Sequence, residues 1–151
     1  MLSPGLLTHW TREALEAARG ADEERAREIT WRIVAGADVL DLLAVCRVAA
    51  DTALRALLVL YRRPDPDRGE AWVLDHLGNA ERDPAQLFAA RLVTAYANCD
   101  HDHVTALVAA AAGASLRERA ESLRTLLAYA AGLDARAAQP PPDGRNLNDE
   151  H

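Results

Sequence analysis

The 151-residue chain has no lysine: all 17 of its basic residues are arginine. Mechanisms that need an ammonium group or a Schiff base on the protein therefore lack their residue, which excludes phosphate-loop NTPases, protein kinases and pyridoxal-phosphate enzymes. Aromatics are scarce at 5%, so a core must be assembled from Ala, Leu and Val. The scarcity of Ile and Phe beside abundant Ala and Arg is the bias a GC-rich, bacterial-type genome produces. The two cysteines, Cys46 and Cys99, have neither metal nor redox spacing. There is no Gly-x-Ser-x-Gly turn, no glycine-rich dinucleotide loop and no β-branched alternation of a strand.

Long clean apolar runs are also missing. Asp41, Arg47, Asp51 and Arg55 interrupt the most hydrophobic stretch, which falls short of the roughly 20 residues a membrane span needs. Met1-Leu2-Ser3-Pro4 has no charged, apolar leader pattern, so we expect no signal peptide and no membrane association. A net charge of −6, with no segment in basic excess, makes nucleic acid an unfavoured partner. These features together point to a reduced, cytoplasmic protein.

What is present is helix punctuation. Gly, one apolar residue and then Asp or Ser recurs at Gly20-Ala21-Asp22, Gly36-Ala37-Asp38, Gly113-Ala114-Ser115 and Gly132-Leu133-Asp134. A glycine in left-handed conformation closes a helix, and the following Asp or Ser caps the next. Ser3-Pro4 and Asp83-Pro84-Ala85-Gln86 add proline-led starts, and Ser115-Leu116-Arg117-Glu118 is a capping box. The expected helices cover 4–19, 22–35, 38–63, 68–78, 84–98, 102–112 and 115–131. The fold class is all-α: a single-domain bundle of about seven helices around a long central apolar helix at 38–63, without β-sheet. The domain should span 1–133, leaving 134–151 as a disordered tail, because the prolines after Gln139 have nothing to bury. Trp10, Trp31 and Trp72 sit among apolar neighbours and are expected to pack in the core.

Ligand-type side chains are dense only at Cys99-Asp100-His101-Asp102-His103, with His76 upstream. Imidazole and carboxylate bind divalent metal, so His76, His101, Asp102 and His103 are the candidate metal residues, for one divalent ion. In the competing reading Asp100 or Asp102 only caps a helix and the histidines face solvent. His101-Asp102, with His76 before it and Asp134 after, resembles the metal signature of all-helical HD-type phosphohydrolases, which implies metal-dependent phosphoester hydrolysis. In that family the pair usually follows an apolar helical stretch, whereas here Asn98, Cys99, Asp100 and His103 surround it. Glu13-x-x-Glu16 resembles half of the motif of helical nucleotide pyrophosphohydrolases, without the second half. Ala109, Gly113 and the helix from Ser115 imitate a helix-turn-helix whose Arg117, Arg119 and Arg124 would meet DNA, although Glu118 and Glu121 would face phosphates.

No catalytic motif is complete, and the helix at 38–63 carries an apolar surplus. The reading that follows is a non-enzymatic helical interaction module, an adaptor or regulator without cofactor. Its partners would be a second copy of itself, as a homodimer, and an unidentified protein. A metal-dependent hydrolase or ligand-binding bundle and a DNA-binding regulator are the alternatives.

Overall fold

The computed structural model describes residues 1–73 and 83–140. Among these residues the chain is all-α, with helices α1 (Pro4–Arg19), α2 (Glu23–Gly36), α3 (Val39–Leu60), α4 (Pro84–Ala97), α5 (His101–Ala112) and α6 (Leu116–Ala138), and no strand. Each helix starts on an Asp or Ser whose side chain accepts a free backbone N–H. Asp22 accepts from Arg25, Asp83 from Ala85 and Asp100 from His103. Asp38–Asp41 and Ser115–Glu118 are reciprocal capping boxes. The four N-terminal N–H groups of a helix have no partner inside it, so these oxygens fix where each helix begins.

Helix ends depart from the glycine rule. Gly20 has φ −80° and Gly113 has φ −79°, neither of them left-handed. The left-handed positions belong to Ala21 (φ 56°) and Cys99 (φ 60°). At these ends Asp22 N–H donates to Ala17 O at 2.9 Å and Asp100 N–H to Ala95 O at 2.8 Å. These are the wrapped bonds of a Schellman end, whose reversal falls one residue after the glycine in the first case. Gly132 does not end a helix at all, since α6 runs through it to Ala138. Leu133 is buried, Ala137 packs on the core, and Asp134 pairs with Arg19 at 2.6 Å. These contacts carry the helix past residue 133, where the sequence places the end of the bundle. It stops one residue short of Pro140, whose ring disfavours helical backbone before it. Residues 141–151 of the expected tail lie outside the described residues.

The helix expected at 68–78 does not form over its described part. Asp65 caps a short 3₁₀ turn, Pro66–Arg68, which Gly69 closes at φ 73°. Glu70 then accepts from Asp65 N–H at 2.9 Å and binds Arg62 with both carboxylate oxygens. Trp72 is held outside any helix by Asn98, which accepts from its N–H at 2.8 Å and donates to its carbonyl at 3.0 Å. Backbone groups satisfied in this way gain nothing by coiling. Residues 74–78 lie outside the described residues.

The centre of the bundle is α6, not α3: it packs against each of the other five helices, most extensively against α3. Its Leu123, Leu126, Leu127, Ala130 and Ala131 are buried. The facing side of α3 is dominated by alanine, with Ala49, Ala50, Ala53 and Ala56 buried beside Leu42, Val45, Cys46 and Leu57. Small residues let two helix backbones approach closely. Leu40, Val48, Leu58 and Val59 are left on its other side, and a helix expected to be surrounded presents one face to solvent.

Candidate functional site

At 1.5 Å per residue the 22 residues of α3 make a rod of about 33 Å. Leu40, Ala44, Arg47, Val48, Asp51, Arg55, Leu58 and Val59 fall on its solvent side by helical spacing, and all but the half-buried Asp51 are exposed. Leu40 is 69% exposed and Val59 70%. The stripe is therefore apolar at both ends and charged in the middle.

Two depressions flank it. One, of about 220 Å³, lies between α1 and α3, with Leu7, Thr11, Leu15 and Val45 beneath Val48. The other gathers Arg19, Arg47, Asp51, Arg55, Tyr96 and Asp134. Within it Asp51 binds Arg55 at 2.9 Å and accepts from the Tyr96 hydroxyl at 3.2 Å. Burial, followed by the charge of Asp51, pushes the Tyr96 phenol above its usual range, so it stays a donor at neutral pH. Arg47 forms no ion pair among the described residues.

The candidate metal residues are differently placed. Asp100 is the cap of α5, and His101, Asp102 and His103 follow in its first turn, all exposed. Consecutive helical residues project about 100° apart, so the three diverge. His103 Nδ1 lies 3.9 Å from Asp100, and the His101 ring stands edge-on to Tyr96. Asp134 is engaged by Arg19. Among the described residues no three His, Cys, Asp or Glu side chains are grouped to hold a metal; His76 lies outside them.

Glu13 is bound by Arg25 at 3.2 Å and approached by His9 at 3.5 Å. Of the arginines in the helix-turn-helix imitation, Arg119 bonds back to Ala114 O and Arg124 pairs with Glu121 at 2.6 Å. Trp10 and Trp72 pack on the core, whereas Trp31 is 46% exposed, contrary to the expectation for all three tryptophans. No helix among the described residues is long and apolar enough to cross a membrane. In comparisons with known proteins, no family model, curated protein or solved structure matches this chain.

Proposed function

We propose that the protein is a non-enzymatic helical interaction module that forms a homodimer through the solvent face of α3, serving as a cytoplasmic adaptor or regulator. The observation that carries this reading is the order of side chains along that face: apolar, charged, apolar. Two copies of α3 laid antiparallel about a twofold axis can place Arg47 opposite Asp51 of the second copy. The same register places Leu40 opposite Leu58, because the two positions of that pair sum to the same number as those of Arg47 and Asp51. A twofold contact must be self-complementary, and this stripe is so in both charge and hydropathy. Arg47 has no carboxylate of its own among the described residues, and Asp51 is held in place by Tyr96 and Arg55.

Sedimentation velocity at tens of micromolar tests the reading. The wild type should run as a dimer, Arg47→Asp and Asp51→Arg should each dissociate it, and the two together should restore it. Circular dichroism confirms that each variant keeps its helices. A monomeric wild type, or a double variant no better than the singles, would overturn the proposal.

A further inference from the structure

At the far end of the bundle a cavity of about 420 Å³ lies between the C-terminal end of α3, the 61–73 connection and the second half of α6. Its volume falls within the roughly 300–1,000 Å³ of small-molecule sites. Leu57 and Leu133 are buried at its floor, and Pro64, Trp72 and Tyr129 line its sides. Asn98 pins Trp72 through both of its backbone groups, so this wall is built by specific bonds.

Two arginines line the cavity, and they differ. Arg62 is bound by both oxygens of Glu70, at 3.1 and 3.2 Å, and is neutralised. Arg136 donates only to the Tyr61 hydroxyl, at 3.1 Å, and makes no ion pair among the described residues. The Tyr129 phenol is pushed above its usual range chiefly by burial and remains protonated. The cavity thus combines apolar walls, phenolic hydroxyls and one guanidinium without a counter-charge among the described residues. We propose that it binds an amphipathic monocarboxylate, whose apolar body lies between Trp72 and Leu133 and whose carboxylate meets Arg136. Guanidinium matches carboxylate through paired N–H donors, and a single cation of this kind selects a single negative charge.

Isothermal titration calorimetry with decanoate and with hydrocinnamate tests this in the full-length protein, and the tighter of the two reports whether an acyl or an aryl body is preferred. The expected result is saturable binding of at least one, with decanol weaker than decanoate. Arg136→Gln should weaken the carboxylate by about tenfold or more and leave decanol unchanged. Ala71→Trp, at an exposed lining position, should fill the cavity and abolish both. Amide shifts in NMR spectra should centre on Leu57, Ala71, Leu133 and Arg136. The proposal is overturned if neither acid binds, if Arg136→Gln binds decanoate as well as the wild type does, or if the shifts centre elsewhere.

Discussion

The backbone N–H of Leu2 donates to Asp41 Oδ2 at 2.9 Å, tying the start of α1 to the first turn of α3. The same oxygen accepts from Asp38 N–H at 3.1 Å, completing a capping box. One carboxylate thus serves two helix starts. Leu2 also lies against Gly36, where an added Cβ would stand 2.8 Å from Leu2 Cδ2 and push the end of that side chain aside.

These bonds, that from Leu2 foremost, hold the Asp41 carboxyl below its ordinary range, and Glu70 is lowered chiefly by the Asp65 N–H and then by Arg62. A carboxylate whose folded pKa is depressed contributes stability above its unfolded pKa, near 4, and loses it as pH falls through the folded value. Urea midpoints from pH 6 to about pH 2 should therefore separate wild type from Asp41→Asn at the neutral end. The gap should close as the solution becomes acid, and a gap constant across that range would refute the assignment.

Backbone conformation predicts that opposite substitutions stabilise at two kinds of site. Gly132 lies inside α6, and a Cβ added there would meet nothing within 4 Å, so Gly132→Ala should stabilise by about 0.5–1 kcal/mol. Cys99 and Ala21 occupy left-handed backbone, so Cys99→Gly and Ala21→Gly should each stabilise by about 0.5–1 kcal/mol, strain relief outweighing glycine's greater unfolded freedom. Thermal melts of the three variants give the signs directly.

The two thiols should differ in reactivity. Cys46 is buried and its thiol is pushed up to about 12 by burial, so almost no thiolate exists at neutral pH, and thiolate is the reacting form. Cys99 is exposed. Native protein should label with a disulfide reagent at Cys99 alone, and protein in denaturant at both. Rapid native labelling of Cys46 would contradict the packing of α3 on the core.

Asn98 is the peg of the cavity wall. Asn98→Ala removes both bonds to Trp72, and at an exposed site this should cost about 0.5–1.5 kcal/mol. Hydrogen exchange should show protection lost at the Trp72 amide and retained at Leu57. Uniform loss across α3 would mean that Asn98 supports the whole bundle instead.

Much of this fold is legible in the sequence because helix starts are local events. Asp22, Asp38, Asp83 and Ser115 each act within three residues, so their spacing places most of the helices within a few residues of where they form. The connection at 68–73 is illegible for the converse reason: the backbone groups of its Trp72 are satisfied by Asn98, 26 positions away. The candidate metal residues show the same limit. His101 and His103 are close in sequence, but the helical turn that carries them spreads their side chains apart. The stripe on α3 is visible in the sequence as Arg47, Asp51 and Arg55, yet the apolar residues beside them read as core.

Composition and capping by themselves determined that this chain is helical, where most helices begin, and which chemistries lack their residues, because those depend on side-chain type and on backbone groups a turn away. Which helix is central, which apolar residues face solvent and where a cavity opens were decided only in three dimensions. Leu40 and Leu57 are chemically identical, and one is exposed and the other buried because the bundle packs over one face of α3 and leaves the other to solvent.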